Sequence, residues 1–306
     1  MNERPWLSER VVTPELAKIL IESQFPDLAP AEVVDLGTGW DNTVYLVNQA
    51  WAFRFPRREM ALMLMETEFK LLDCLAPRLA LHIPVPRFKG KPSPDFDWPF
   101  AGYSLVPGQT ACGAQLSREQ REALVLPLAK MLKTLHSFPA EVAKALDLPP
   151  DRLKKVDLAL RKPQIFARLE QAVALGLLTD MAPWQPFLAA LPAETPPERP
   201  RCLVHGDLYI RHLLVNAAGT LTGVIDWGDA HWGDPACDFS VVYSVLPPET
   251  HAKFWQCYGP VSTETLMLAK MRALFHNLAL LLYAADTQDV NLEREARQGL
   301  DWCAGA

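Results

Sequence analysis

Apolar and polar positions change period along this chain, and the changes mark its elements. Residues 13–23 (TPELAKILIES) repeat apolar positions at helical spacing, with Thr13 as N-cap and Pro14 in the first turn. From Val33 to Arg57 the period shortens to two, in a run rich in Val, Tyr, Trp and Phe, which predicts strands joined by tight turns. Gly37-Thr38-Gly39 falls between the first two strands, and a hairpin turn is its simplest explanation. Arg54 lies between two aromatics inside the strand Trp51 to Phe55, so an inward cation there needs a partner. Glu59 to Leu79 returns to a helical period, and Leu71, Leu72 and Leu75 continue one face from Glu68. Glu68 therefore either points inward toward Arg54 or is a solvated surface glutamate. The proline-rich stretch from His82 to Pro99 predicts strand edges and an exposed loop. Phe100 to Val106 is a short apolar strand, and Pro107-Gly108 after it predicts a hinge. Beyond the hinge the pattern is helical. Ser117 to Gln120 is a capping box opening a helix to His136, with a kink expected at Pro127. Residues 140–200 predict two or three further helices, and residues 239–303 are again helical.

One stretch, Leu203 to Ser240 (LVHGDLYIRHLLVNAAGTLTGVIDWGDAHWGDPACDFS), breaks this helical pattern. It holds His205, Asp207, His212, Asp226, Asp229, His231 and Asp234 among apolar runs. Leu213-Leu214-Val215 and Leu221 to Ile225, separated by Asn216-Ala217-Ala218-Gly219, predict a hairpin with Asp207 before it and Asp226 after it. Two carboxylates converging at the open end of a hairpin suit a hard cation such as Mg²⁺. His231 and His136 read as packed or exposed histidines, Trp227 and Trp232 as packing residues, and Asp234 as a cap for the helix that follows.

Composition narrows the classes. At 306 residues the chain suggests two domains or lobes, and 49% hydrophobic with 22% charged residues is ordinary for a globular protein. The net charge of −6 argues against general nucleic-acid binding and would suit a cationic substrate. The six cysteines are scattered with no CxxC pair, which predicts reduced thiols and neither a disulfide framework nor a zinc site. The opening MNERPWLSERVV has charges and no apolar core, unlike a signal peptide. The longest apolar helix, Thr265 to Ala285, is interrupted by Lys270, Arg272, His276 and Asn277, so it predicts a buried helix and no membrane span.

HGDLYIRH and VIDWGDAHWGDPACDFS, whose Asp226 falls nineteen residues after Asp207, resemble the paired motifs of the aminoglycoside and macrolide phosphotransferases, a branch of the protein-kinase-like fold. The likeness runs from about Val34 to Ser240 and implies an α+β, two-lobe architecture. A small β-rich nucleotide-binding lobe would occupy residues 1–106, and a larger helical lobe for catalysis and acceptor binding residues 107–306. The resemblance implies that Gly37 to Thr43, including Gly39 and Asn42, covers the nucleotide phosphates. Arg54 stands where a lysine holds the phosphates, and Glu68 orients it. Tyr103 takes the gatekeeper position and would narrow the base slot in favour of GTP, with the Ser104 carbonyl and Val106 amide on the base edge. Asp207 is the catalytic aspartate, His212 and Asp226 are the metal ligands, and Asp238 braces the catalytic loop, which His205 helps to shape. Arg for Lys at 54, His for Asn at 212, and the missing third glycine near Asn42 depart from the kinase pattern.

The implied activity is a small-molecule kinase moving the γ-phosphate of ATP or GTP to a hydroxyl of an aminoglycoside, macrolide or related acceptor, with Mg²⁺, or Mn²⁺ in its place. An antibiotic is one candidate acceptor among several. A cytoplasmic monomer without nucleic-acid or membrane partners is expected. Two other readings compete. A metal-dependent hydrolase would use the His/Asp cluster but leaves Arg54 and Glu68 unexplained. A nucleotide-binding pseudokinase conflicts with the intact Asp207 and Asp226.

Overall fold

The computed structural model describes residues 8–39 and 41–305. The reading of the N-terminus as lacking a signal peptide therefore falls partly on residues 1–7, outside the described ones. The chain divides into two compact units. The first comprises residues 1–78, 82–106 and the short segment 225–229; the second comprises the rest.

In the first unit, helix α1 (Pro14–Gln24) opens on the Thr13 cap, whose side chain accepts the Leu16 N–H. Strands β1 (Val33–Thr38), β2 (Asn42–Val47) and β3 (Trp51–Pro56) follow, then helix α2 (Met60–Leu75), strand β4 (Pro86–Gly90) and strand β5 (Phe100–Ser104). The strands form one antiparallel sheet in the order β1-β2-β3-β5-β4. The two-residue period decides what each face carries. Phe53 and Phe55 of β3 turn into an aromatic core with Tyr45, Phe96, Phe100 and the buried Ala17, Leu20 and Ile21 of α1. Burying each such phenylalanine contributes roughly 1.5–3 kcal/mol. Gly102 on β5 is needed here, because a Cβ on it would stand 2.5 Å from the Phe53 ring. Arg54, between the two phenylalanines, faces the other side of the sheet, where α2 presents Glu68.

The second unit begins with β6 (Gln109–Thr110), α3 (Ala111–Ala114) and α4 (Arg118–His136). The Ser117–Gln120 capping box is present, and α4 continues as one helix through Pro127. Helices α5 (Ala140–Ala145), α6 (Leu158–Ala174) and α7 (Gln185–Ala190) lead to the strands β7 (Cys202–Val204), β8 (Leu213–Val215), β9 (Leu221–Val224) and β10 (His231–Gly233). The expected hairpin is β8–β9, and its turn is an Asx structure. Asn216 Oδ1 accepts the Ala218 and Thr220 N–H groups, both at 3.0 Å. Strand β10 pairs with β7, and β6 with β8. Helices α8 (Ala236–Val245), α9 (His251–Tyr258), α10 (Thr263–Thr287) and α11 (Val290–Gly305) complete the unit. Helix α10 is its spine, packing against α6, α8 and α11. By length and composition α10 could cross a membrane, but two-thirds of its apolar window is buried inside the molecule. The cysteines are all free.

Candidate functional site

The first unit carries one half of the predicted site. Arg54 Nη1 donates to Glu68 Oε1 at 2.8 Å, with side chains only 12% and 3% exposed. The alternation in β3 aims Arg54 at α2, and the 3.6-residue period of α2 aims Glu68 back. This resolves the open choice for Glu68, which is a buried partner and not a surface charge. Glu68 accepts twice more, from the Tyr103 hydroxyl at 2.6 Å and from the Trp227 N–H at 3.1 Å. Tyr103 also lies under the guanidinium, 4.9 Å from ring centre to Cζ. Tyr103 thus holds the Arg54–Glu68 pair together, a duty its position in the sequence did not suggest. Burial alone would lower the Arg54 pKa, but the charges of Glu68 and Asp226 outweigh it and raise the value. Asp226 is half-buried, with a left-handed φ of +66° that is uncommon outside glycine.

The β1–β2 turn is held by one backbone–backbone bond and two bonds between side chain and backbone. Gly37 N–H donates to Asp35 Oδ1 at 2.8 Å, Gly39 N–H to the Asn42 carbonyl at 2.9 Å, and Arg57 Nη1 to the Gly39 carbonyl at 2.7 Å. Gly37 has φ +139°, and a Cβ there would meet nothing within 4 Å. Asn42 Oδ1 is buried without a hydrogen-bond partner among the described residues. At the far edge of the sheet, Ser104 Oγ accepts the Val85 N–H at 3.0 Å and Val106 is buried.

The second unit carries the Asp207 loop, and its backbone groups are pinned one by one. Asp238 accepts the His205 and Gly206 N–H groups, both at 2.8 Å, on separate oxygens. Lys155 Nζ donates to the Gly206 carbonyl at 2.9 Å. His212 Nδ1 lies 2.8 Å from the Asp207 carbonyl. A carbonyl only accepts, so Nδ1 carries a proton and donates it to this bond. His205 Nδ1 accepts the Asp207 N–H at 3.3 Å. Asp238 itself is held by His136 Nε2 at 3.1 Å, and His136 Nδ1 meets the Tyr258 hydroxyl at 2.9 Å. Burial works against the ionised form of Asp238, yet the His136 hydrogen bond and charge keep its pKa below the ordinary value.

Around the Asp207 carboxylate stand groups that the motifs do not contain. Arg272 Nη2 lies 3.4 Å and His276 Nε2 3.8 Å from Oδ1. Burial would raise the Asp207 pKa, but the charges on the His276, Lys155, His212 and Arg272 side hold it down at about 2. Burial, with Arg272 alongside, pushes His276 down to about 3, so its ring is neutral near pH 7. The lasting cations at Asp207 are therefore Lys155 and Arg272. Sequence reasoning missed Lys155, Arg272 and His276 as site residues and read His136 as a packed or exposed histidine. A signal existed for Arg272 and His276, which interrupt an otherwise apolar helix, whereas Lys155 and His136 carried none.

The remaining candidates have other surroundings. Asp234 caps α8 through the Ala236 N–H at 2.9 Å and pairs with Arg199 at 2.8 Å. Trp227 is fully buried. Asp151, His231 and Cys237 bring donor atoms within 4.8 Å of one another, a grouping that cysteine spacing could not reveal. Burial pushes the Cys237 thiol up, away from the thiolate a metal would need.

With this geometry in place, known proteins can be compared. A family model described as "Phosphotransferase enzyme family" matches residues 32–273. The GDP complex of wild-type aminoglycoside 2'-phosphotransferase-IIIa superposes with a TM-score of 0.71 at 26% identity, covering 96% of this chain and 99% of that one. A macrolide 2'-phosphotransferase type I shares the fold, with a TM-score of 0.53 at 21% identity over 95% of this chain and 98% of that one. Among sequences, the uncharacterized protein YcbJ of Bacillus subtilis (strain 168) is 23% identical over 218 residues, 68% of this chain and 67% of its own length.

Proposed function

We propose a function from one premise: the chain belongs to the phosphotransferase enzyme family, whose model spans residues 32–273. The protein is a phosphotransferase with the two-part fold of the aminoglycoside and macrolide enzymes. The finer reading is a small-molecule kinase that moves the γ-phosphate of ATP or GTP to an acceptor hydroxyl. One observation supports it most: the backbone of residues 205–207 is fixed from Asp238, Lys155 and His212, so that one ionised carboxylate, Asp207, is held in place. Phosphoryl transfer needs alignment and charge stabilisation more than covalent help. At a pKa of about 2, Asp207 is a weak base. Its work is to accept a hydrogen bond from the hydroxyl and aim the oxygen, with the proton leaving late. Arg54, kept rigid by Glu68 and Tyr103, would present a planar fork to phosphate oxygens. Neighbouring structures described as GDP or streptomycin–ATP complexes support a nucleotide as the donor.

The resemblance assigns a divalent metal to Asp226 and His212, and their donor types suit one. Asp226 offers a carboxylate and His212 the lone pair of Nε2, its Nδ1 being committed to the Asp207 carbonyl. When bound, such an ion would neutralise charge on the phosphates. Coupled measurement of ATP and GTP consumption with Mg²⁺ tests the reading. Aminoglycosides, macrolides and small hydroxy compounds serve as acceptors, with Asp207→Asn as control. Acceptor-dependent turnover lost in the variant is expected. Phosphatase or esterase turnover without nucleotide would instead favour a hydrolase.

A further inference from the structure

Three arginines gather at the Phe275 ring, and one of them, Arg272, reaches Asp207. Arg161 and Arg168 lie seven residues apart on α6, hence on one face, and Arg272 comes from α10, which packs against α6. All three guanidinium groups gather at the Phe275 ring, at 4.6, 3.9 and 5.8 Å from its centre. Arg161 donates to the Lys154 and Leu153 carbonyls and to Gln164 Oε1, and Arg168 to the Phe275 carbonyl. Neither forms an ion pair among the described residues. Asp151 and Asp157 act on Arg161 only through space. Arg272 reaches Asp207 at 3.4 Å, while its Nε is buried with no hydrogen-bond partner among the described residues. Burial, then the charges of Arg161 and Arg272, push Arg168 down to about 10. Like charges are thus held together with a donor left unused, the state of a built anion site before its ligand arrives.

We propose that the acceptor carries an anionic group, a phosphate or a carboxylate, held by Arg161, Arg168 and Arg272 next to the hydroxyl that Asp207 aligns. The proposal rests on the kinase reading for the hydroxyl, but the anion site stands on its own residues. An anion would satisfy Arg272 Nε, relieve the repulsion among the arginines and accept paired N–H donors in the fork geometry that guanidinium offers. A polycationic aminoglycoside would meet the same three charges with the wrong sign. Hence the acceptor class differs from that of the kanamycin-bound neighbour, a 28% identical chain.

The test titrates inorganic phosphate by calorimetry into the full chain saturated with Mg–ADP, so that the nucleotide site is filled. Wild type, Arg168→Gln, Arg161→Gln and Arg168→Lys are compared, with kanamycin as the opposing probe. Phosphate should bind to wild type, weaken at least tenfold in each Gln variant and less in Arg168→Lys, and kanamycin should give no binding. A sugar phosphate and a sugar acid, each offered as acceptor, then separate phosphate from carboxylate by which supports ADP release. Phosphate binding that is absent or indifferent to Arg161 and Arg168 overturns the proposal, as does kanamycin binding more tightly than phosphate. Should Mg–ADP itself fail to bind, the kinase reading fails separately. The phosphate titration is then run on nucleotide-free Arg54→Gln, where dependence on Arg168 still decides.

Discussion

Removing the Glu68 carboxylate should expose how far the Arg54 assembly acts as one unit. Glu68 accepts from Arg54 Nη1 at 2.8 Å, the Tyr103 hydroxyl at 2.6 Å and the Trp227 N–H at 3.1 Å. In Glu68→Ala all three donors lose their acceptor inside a region where Arg54 is 12% exposed and Tyr103 and Trp227 are fully buried. Stranding one partner of a buried ion pair costs about 3–5 kcal/mol. A stranded neutral donor costs about 1–3 kcal/mol more. Water entering the vacated space would serve one of the two neutral donors, so the net loss should be about 4 kcal/mol, the lower end for the stranded ion plus the other donor. At roughly 2–4 °C per kcal/mol for a chain of this order, the melting temperature falls by roughly 8–16 °C. A double-mutant cycle separates the pair from the rest. Arg54→Met and Glu68→Leu should each destabilise, but the double variant should recover about 2–3 kcal/mol of the summed loss, since no buried charge is then left alone. Urea unfolding measures stability, and an ADP or GDP titration should show weakened nucleotide binding in all three variants. Additivity within about 0.5 kcal/mol would refute the coupling. An unchanged melting temperature in Glu68→Ala would refute the role of the carboxylate as common acceptor.

Three further outcomes follow from the Asp207 loop. Asp207→Asn should keep nucleotide binding and lose about a hundredfold or more in kcat, so near-normal turnover would remove Asp207 from the reaction. Its folded pKa of about 2 lies below the ordinary value, so the stabilisation from its charge is complete above about pH 4 and fades only as the pH falls toward 2. The melting-temperature gap between wild type and Asp207→Asn should accordingly be equal at pH 8 and pH 5, and a gap that narrows at pH 5 would contradict the burial-and-cation account. Asp238→Asn places an amide NH₂ against either the His205 or the Gly206 N–H, stranding one donor at about 1–3 kcal/mol. It should lower kcat at least tenfold with little change in nucleotide affinity, and a variant with unaltered kcat would show that the loop does not depend on this brace. In His212→Asn the preference for Mn²⁺ over Mg²⁺ should shrink, because an imidazole Nε2 suits Mn²⁺ better than an amide oxygen does. Superimposable metal titrations of the two proteins would show that His212 is not a ligand.

What could be read from the chain depended on whether the information was local. The period-two run around Arg54 and the helical period around Glu68 each state a direction, so both elements and their buried faces were legible. That the two side chains meet required the sheet order, which no single stretch encodes. The Asp207 loop was legible as a motif, and its tie to Asp238 through the resemblance. The partners His136 and Lys155 lie 71 and 52 residues before Asp207 and are brought there by the packing of α4 and by the loop before α6. Helix α10 shows the same limit from the other side. Its polar interruptions ruled out a lipid-facing helix, since a buried arginine needs a partner, but the pattern could not say that the partner would be Asp207.

Charge is the sharpest example. A net −6 suggests a cationic ligand when averaged over the whole sequence. The average says nothing about which residues fold together. Arg272 from α10 and Lys155 from the loop before α6 make the surroundings of Asp207 basic inside an acidic protein, and Arg161 and Arg168 of α6 meet Arg272 at the Phe275 ring. Coulomb interactions fall with distance and are screened over about 8–10 Å, so a ligand at Asp207 responds to Arg272 and Lys155 far more than to carboxylates elsewhere on the surface. Whole-chain charge therefore decides nothing about the acceptor, and the proposed anionic acceptor rests on the local geometry alone.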